Sequence, residues 1–200
     1  MFRFTNSYAK LTAIATLVLA FAAASFGKTH ADPAFSNIKI KNFGKMDDRF
    51  YRGAQPKAED FKDLKALGVK TVIDLQDSPT SYEKGAVEAL GMRYVNIPMS
   101  DSSYPKQESI DTFLKLVNDP ATGTMYVHCA GGRHRTGVMG AVYRFNVNHW
   151  NLDQAYTEMK DYDFYTRFGH GDLKTFVEDY SQHMQNSATT AVTATSSQKN

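Results

Sequence analysis

The chain has 200 residues and a formal net charge of +2, with 42% hydrophobic and 22% charged residues. These proportions are ordinary for one soluble globular domain, and they exclude collagen-like and proline-rich disordered chains. So weak a net charge gives no reason to expect nucleic acid as a partner. Because there is one cysteine, a disulfide framework within the chain and a cysteine-rich zinc module are both excluded.

The N-terminal segment carries the basic excess. Residues 1–31 contain Arg3, Lys10 and Lys28 and no acid, leaving 20 of the 23 basic side chains against 21 acidic ones. An uncharged stretch over 11–24 follows the first two cations, and small residues that suit a cleavage site come after it. The stretch is shorter than the roughly 20 residues of a membrane-spanning helix. We therefore expect a signal peptide over 1–31, a secreted or periplasmic protein and no stable membrane association after cleavage. A membrane-anchored, uncleaved segment and a buried N-terminal helix are the alternatives.

Strand and helix patterns alternate along the rest of the chain. Short apolar or β-branched runs predict strands over 49–54, which suits an edge strand, and over 70–75, 93–97 and 125–128. Apolar residues at helical spacing predict helices over 56–67, 82–90, 107–118, 138–145, 152–159 and 173–180. The alternation predicts an α/β fold with a central, mostly parallel sheet flanked by helices.

The composition changes again near the C-terminal end. Residues 187–200 (SATTAVTATSSQKN) are small and polar, which predicts a disordered tail. The prediction is therefore one globular domain over 32–186, between the signal peptide and the tail. We expect this domain to be monomeric.

One segment between a predicted strand and a predicted helix carries reactive side chains. It runs from His128 to Gly137 and reads HCAGGRHRTG. A cysteine at a strand end, before a glycine-containing turn into a helix, lies where backbone N–H groups and the helix dipole attract an anion. This field favours the thiolate of Cys129 over the thiol. Arg135 has a planar fork that suits two phosphate oxygens, and Thr136 can donate a hydroxyl hydrogen bond to the thiolate.

This segment resembles the signature HC-x5-R-[ST]-G of the cysteine-dependent protein tyrosine and dual-specificity phosphatases. The matching positions are His128, Cys129, Gly132, Arg135, Thr136 and Gly137. The resemblance extends over about 47–165 and includes YRGAQP at 51–56, LKALGVKTVIDL at 64–75 and the HW-x-L-x-x-A-x-x-E-M helix at 149–159. These features resemble the compact, atypical dual-specificity branch, which implies a dual-specificity phosphatase-like catalytic domain.

The resemblance implies a reaction that uses neither a metal nor a cofactor. Cys129 would be the nucleophile and would form a phosphocysteine intermediate, while Arg135 and the loop amides hold the phosphoryl oxygens. The implied phosphate-binding positions are Ala130, Gly131, Gly132, Arg133, His134 and Arg135. His128 would support the loop through hydrogen bonds. A metal site made of His128, Cys129 and His134 is disfavoured, because no second ligand cluster stands at a suitable spacing.

The leaving group needs a proton, so a general acid should lie on a neighbouring loop. Asp101 follows a predicted strand end and precedes the cysteine segment, which is the order that the family uses. Such an acid contributes about 10²–10⁴-fold to the rate. Asp74, Asp77 and Asp111 compete with it; Asp77 stands before Ser-Pro and suits a turn, and Asp111 suits a helix surface.

The expected activity is hydrolysis of phosphomonoesters on phosphotyrosine or phosphoserine/threonine proteins. A second interpretation follows from Arg133 and His134, which add potential positive charge and resemble the plant and fungal phosphatases of inositol pyrophosphates. Its substrate would be a polyphosphorylated small molecule, such as an inositol polyphosphate, an inositol pyrophosphate or a phosphoinositide. Ala130 and Gly131 depart from that branch, which commonly has another basic residue there. A catalytically silent module that binds phosphorylated ligands is the third interpretation, and the intact catalytic set argues against it.

Two further segments have open interpretations. Arg52 and Gln55 in YRGAQP either approach the pocket or only shape a turn. The aromatic stretch 162–168 (YDFYTRF) either packs beneath a loop or contacts substrate.

Overall fold

The structure is a computed structural model that describes residues 35–197, with side chains described as far as residue 187. The predicted signal peptide over 1–31 lies outside the described residues. Within 35–197, no helix combines the length and the apolar character that a membrane crossing requires.

Among the described residues, a five-stranded sheet forms the centre of the fold. Its strands are Gly44–Lys45 (β1), Phe50–Ala54 (β2), Thr71–Gln76 (β3), Arg93–Met99 (β4) and Met125–Cys129 (β5). The strand order is β1-β2-β5-β3-β4. β1 pairs antiparallel with β2, and the other neighbours are parallel. The predicted α/β fold with a mostly parallel sheet is confirmed.

β2 is not the edge strand that its sequence suggested. It pairs with β1 on one side and with β5 on the other, and all five of its residues are buried. Even the charged side chain of Arg52 is fully buried. The two-residue strand β1 forms this edge of the sheet, and a strand so short has no alternating pattern in the sequence.

In the part of the chain that the structure describes, six α-helices cover the two faces of the sheet. They are Phe61–Ala66 (α1), Glu83–Ala89 (α2), Gln107–Asn118 (α3), His134–Val147 (α4), Leu152–Asp161 (α5) and Gly171–Ser197 (α6). One apolar core joins α1 and α2 to the sheet, and the larger core joins it to α3–α6. Successive side chains of a strand point to opposite faces. Thus Val72 of β3 packs with the first core, while Ile73 packs with the second.

Helix α4 is surrounded by protein. Its residues from His134 to Phe145 are buried, and it contacts β5, α3, α5 and α6. Gly137 leaves room for Met159 and Phe164, whose side chains would stand 3.5 Å from a Cβ at that position. A helix packed on all sides loses the one-sided apolar stripe of a surface helix, which explains its weak periodicity.

The end of α6 differs from the prediction. Residues 187–200 were expected to be disordered, but the helix continues to Ser197. Its first half is fastened by Leu173, Phe176 and Val177, which are buried in the larger core. Once a helix has formed, adding residues is far easier than starting a new one, and alanine is the best helix former. The predicted domain end at residue 186 therefore falls inside a helix.

Candidate active site

The turn from residue 130 to residue 133 joins the end of β5 to the start of α4. It lies at the carboxyl edge of the parallel strands, where ligands of open α/β sheets bind. Cys129 ends β5 and is 3% exposed. The candidate nucleophile thus stands at the bottom of the turn, next to the N-terminus of a 14-residue helix.

Three successive carbonyl groups of this turn accept hydrogen bonds from residues outside the turn. The bonds are Gln55 N–H to Ala130 O at 3.4 Å, Asn42 Nδ2–H to Gly131 O at 2.8 Å and Arg52 Nη2–H to Gly132 O at 3.0 Å. In a peptide unit the N–H points away from the C=O, so the amides of these units face the opposite side. Consecutive amides on one side of a turn form a cradle for an anion. Arg52 and Gln55 therefore support the turn. The sequence alone allowed them either to approach the pocket or to shape a turn.

Gly132 is required by the backbone of the turn. Its φ is +65°, a conformation that favours glycine, and a Cβ there would overlap backbone atoms of Gly53 and Ala54. A Cβ on Gly53 would in turn overlap the hydroxyl of Tyr126, which donates a hydrogen bond to Ala54 O at 2.6 Å. The turn and β2 therefore pack backbone against backbone.

The surroundings of Cys129 favour its thiolate. Burial by itself raises the pKa of the thiol, but the Thr136 hydroxyl, the Thr136 and Arg133 backbone N–H groups and the Arg135 charge together lower it below the ordinary value. Thr136 Oγ1 is fully buried and has no other hydrogen-bond partner among the described residues, so its hydroxyl is available to the sulfur. The structure brings together the cysteine, the arginine and the threonine of the predicted site.

Arg135 spans from α4 to the ends of β3 and β4. Its Nη1 donates to Met99 O at 3.1 Å and lies 3.4 Å from Asp77 Oδ1. The guanidinium is buried, whereas the Asp77 carboxylate is 67% exposed. Asp77 is therefore more than the turn residue that its Ser-Pro context suggested, because it pairs with the candidate phosphate-binding arginine.

Asp101 lies on the exposed loop after β4. Its backbone carbonyl accepts a hydrogen bond from His170 Nδ1 at 2.6 Å, and its charge acts on His134 at the start of α4. Two of its competitors are engaged elsewhere. Asp74 is buried in the sheet, where Tyr94 donates to it at 3.0 Å. Asp111 is an exposed residue of α3 that accepts a hydrogen bond within its own helix.

His128 points away from the turn, because neighbouring residues of β5 face opposite sides of the sheet. Its Nε2 lies 2.7 Å from Glu83 Oε1, its Nδ1 lies 3.9 Å from Asp74 Oδ1, and all three side chains are fully buried. Gln55 donates from Nε2 to Glu83 Oε2 at 2.8 Å, which joins this cluster to the segment that holds the turn. Sequence reasoning missed Glu83, since a glutamate at the start of a helix is usually exposed and stabilises the helix dipole.

The same cluster has the composition of a cation site. Ligand atoms of Asp74, Glu83 and His128 lie within 4.8 Å of one another. The carboxylates, however, already accept hydrogen bonds from Tyr94, Gln55 and the Gln76 backbone N–H. These donors engage three of the four carboxylate oxygens, and the fourth, Glu83 Oε1, faces His128 Nε2 at 2.7 Å. We therefore interpret the cluster as a polar support beneath the turn.

Aromatic and basic residues form the rim beside the turn. His134 stacks on His170 with ring centroids 3.6 Å apart and contacts Tyr165 edge-on at 4.4 Å. Burial, followed by the charges of His170 and Arg133, lowers the pKa of His134 to about 4. The expectation that His134 adds positive charge is therefore wrong at neutral pH. The Arg133 guanidinium lies over the Tyr165 ring, 5.6 Å from its centroid.

The aromatic stretch 162–168 is buried at its start and exposed at its end. Tyr162 and Phe164 are buried, and Tyr162 lies beneath the Arg52 guanidinium at 4.0 Å. Phe168 is 82% exposed and borders the rim. Packing thus accounts for the first part of the stretch, and the second part faces solvent beside the site.

Comparisons with known proteins agree with this geometry. Residues 30–195 match the family described as "DSP-PTPase phosphatase fused to NAD+ Kinase". The probable tyrosine-protein phosphatase DG1060 of Dictyostelium discoideum is 28% identical over 149 residues, covering 72% of this chain and 86% of the relative. The crystal structure of P. aeruginosa TpbA aligns with a TM-score of 0.60 and 26% identity, over 74% of this chain and 87% of that one.

A second solved structure has the same fold. The core catalytic domain of the PP-IP phosphatase SIW14 from S. cerevisiae aligns with a TM-score of 0.62 and 23% identity, over 76% of this chain and 93% of that one. The family match spans nearly the whole described region, and the relatives agree with it in fold and in class of reaction. This chain therefore belongs to the DSP-PTPase phosphatase family and is a phosphoric monoester hydrolase.

Proposed function

We propose that the chain dephosphorylates phosphotyrosine and phosphoserine/threonine proteins through a phosphocysteine intermediate on Cys129. The observation that carries this proposal is a buried cysteine with a lowered thiol pKa. It lies beside a turn in which three successive carbonyl groups are hydrogen-bonded to residues outside the turn, so that the backbone N–H groups face the other way. That arrangement supplies both a nucleophile and a seat for a phosphoryl group.

In the first step, the Cys129 thiolate attacks phosphorus, so that an S–P bond forms and the P–O bond to the leaving group breaks. Arg135 and the amides of the turn hold the phosphoryl oxygens, and Asp101 gives its proton to the departing oxygen. In the second step, water attacks phosphorus, the S–P bond breaks and the Asp101 carboxylate takes up the proton of the water. Because Arg135 is 3.4 Å from Asp77, we expect a bound phosphate to compete with that carboxylate for the guanidinium.

A polyphosphorylated small molecule is the second candidate substrate. Arg133 and Arg167 each have their guanidinium 5.6 Å from the Tyr165 ring centroid, which provides cations next to the turn. SIW14, one of the structural neighbours, is described as a PP-IP phosphatase. The lowered pKa of His134 weakens the case for a polyphosphorylated substrate, because an uncharged His134 leaves the rim with one positive charge fewer than expected. The ratio of kcat/KM for phosphopeptides to that for inositol polyphosphates decides between the two substrates.

The Cys129→Ser variant tests the mechanism. Serine is far less nucleophilic at neutral pH but preserves the shape of the site, so turnover of p-nitrophenyl phosphate should disappear. Binding of phosphate, measured by calorimetry, should remain close to that of the wild type. Hydrolysis by the variant above about a few per cent of the wild-type rate would exclude Cys129 as the nucleophile. A wild-type protein that binds phosphate under reducing conditions yet shows no turnover would instead support a silent binding module.

We also propose that the protein acts outside the cytoplasm as a monomer. Support for export comes from the charge and hydropathy pattern of residues 1–31 alone. Expression of the full chain, followed by fractionation and N-terminal sequencing of the product, gives both the compartment and the cleavage position. Light scattering of the purified product gives its mass in solution.

A further inference from the structure

His170 connects the loop of Asp101 to the start of α4. Its Nδ1 lies 2.6 Å from the backbone oxygen of Asp101. A carbonyl oxygen only accepts hydrogen bonds, so Nδ1 carries the hydrogen and donates it. The ring also stacks on His134, with centroids 3.6 Å apart and planes inclined by 16°, and it contacts Tyr165 edge-on at 5.5 Å. One imidazole therefore touches both the loop that carries the candidate acid and the first residue of the helix after the turn.

The loop of Asp101 is otherwise held within itself and at its two ends. At the near end, Arg135 Nη1 donates to Met99 O at 3.1 Å. Ser100 Oγ accepts hydrogen bonds from the backbone N–H groups of Ser102 and Ser103, which close a tight turn. Farther along, the Tyr104 hydroxyl donates to Asp179 of α6 at 3.1 Å. These contacts shape the loop, but they do not connect Asp101 to the turn after Cys129. The bond from His170 makes that connection.

We propose that His170 is a positioning residue for phosphoryl transfer, holding the Asp101 backbone so that its carboxylate can reach the leaving group. This inference rests on the proposed function, in which Asp101 is the general acid. The carbonyl that His170 holds is attached to the same Cα as the carboxylate side chain, so fixing one restricts the direction of the other. A misplacement of about 1 Å can cost on the order of 10²-fold in rate. The stack on His134 sets the position of this bond relative to the cysteine turn.

Three substitutions separate the hydrogen bond from the ring stack. His170→Phe keeps an aromatic ring against His134 but has no donor. His170→Asn keeps an N–H donor near the position of Nδ1 but loses the ring, and His170→Ala loses both. Asp101→Ala is the reference variant, and His183→Ala, at an exposed histidine of α6, is the matched control. The measurement is kcat for a series of aryl phosphates whose leaving groups range from acidic to weakly acidic phenols.

A general acid matters most for poor leaving groups, so its loss steepens the dependence of kcat on the pKa of the leaving group. We expect this steepening in Asp101→Ala, and a smaller one, roughly tenfold for the poorest leaving group, in His170→Phe and His170→Ala. His170→Asn should recover most of the rate, and His183→Ala should match the wild type. Loss of packing alone would lower kcat for all leaving groups by a similar factor.

The outcomes distinguish this inference from the proposed function. If Asp101→Ala steepens the dependence while His170→Phe lowers all rates equally or leaves them unchanged, His170 does not position the acid. A positioning role is also excluded if His170→Phe behaves as wild type and His170→Asn is impaired, because the stack would then be what matters. If Asp101→Ala itself shows no steepening, Asp101 is not the acid, and the inference fails with that assignment. Thermal melts of each variant identify any loss of folding.

Discussion

At the scale of single residues, the chemistry depends on how Cys129 is kept as a thiolate inside the protein. Burial opposes ionisation, and the hydroxyl of Thr136 is the strongest of the contacts that reverse this effect. Hydrogen bonds to a charged group are stronger than those between neutral groups. The threonine of the signature is therefore an electrostatic partner of the nucleophile, in addition to a packed residue of α4.

The Thr136→Val variant tests this role, because valine keeps the shape of threonine and removes the hydroxyl. Without the donor, the thiol pKa should rise, so the pH profile of alkylation by iodoacetamide should move to higher pH. The alkylation rate at neutral pH should fall roughly tenfold, which corresponds to about 1.4 kcal/mol. Thr136→Ser should keep the wild-type profile. An unchanged profile in Thr136→Val would assign the low pKa to the backbone amides and Arg135.

At the scale of elements, β2 is the support for the turn that follows β5. Arg52 reaches from this strand to Gly132 O at 3.0 Å and is fully buried. Burial lowers the pKa of its guanidinium, which nevertheless stays charged. A buried cation lowers stability unless its partners compensate, so the presence of Arg52 beneath the turn is better explained by function than by stability.

Replacing Arg52 with methionine should separate activity from stability. The variant fills a similar volume but leaves Gly132 O without its donor, so kcat should fall by up to about 10²-fold and phosphate should bind more weakly. The melting temperature should change little or rise, because a buried charge has been removed. Arg49→Met is the matched control. Arg49 donates to Val117 O at 3.2 Å from just before the opposite end of β2, so its loss should spare kcat. Equal kcat in the two variants would contradict a supporting role for Arg52.

The elements also indicate where sequence patterns succeed and where they do not. The bounds of α3 agree with the prediction, because this helix has one apolar face and one exposed face. α4 was predicted only in its central part, since a helix buried on all sides has no such stripe. β1 was missed because two residues carry no pattern, and the last turns of α6 were missed because small polar residues are typical of tails and of helix surfaces alike.

At the scale of the whole molecule, the stability of the fold should depend on pH through His134. In the folded chain its pKa is lowered to about 4 from an ordinary value of 6.5, chiefly by burial and then by the charges of His170 and Arg133. Between these two values the unfolded chain binds a proton that the native protein does not bind. The contribution of His134 to stability is therefore complete above pH 6.5 and is lost as the pH falls toward 4.

The His134→Phe variant removes this titration and keeps an aromatic ring against Phe164 and Tyr165. Between pH 7 and pH 5, its free energy of unfolding should fall less than that of the wild type, by roughly 1–2 kcal/mol. Urea denaturation at the two pH values measures the difference. His183→Phe is the control, because that histidine is exposed on α6 and should leave the pH dependence as it is. An equal loss of stability in His134→Phe and the wild type would assign the pH dependence to other groups.

The sequence by itself determined the fold class and the identity of the cysteine turn. Both can be predicted because they depend on residues that are close together in the chain. The fold class follows from alternating strand and helix patterns, and the turn lies within ten contiguous residues from His128 to Gly137. The glycine at position 132 belongs to this set, since its backbone conformation is a local property.

Only the tertiary structure decided what surrounds that turn. Asn42 and Arg52 reach it because the chain around β2 lies beside β5, although 89 and 80 residues separate them from the carbonyl groups that they hold. Glu83 of α2 meets His128 of β5 beneath the turn, across 45 residues of sequence. Burial made His134 neutral, and the path of the chain after α5 brought His170 to the Asp101 loop. The charge of a side chain and the contacts between distant segments depend on packing, and packing is a property of the folded chain as a whole.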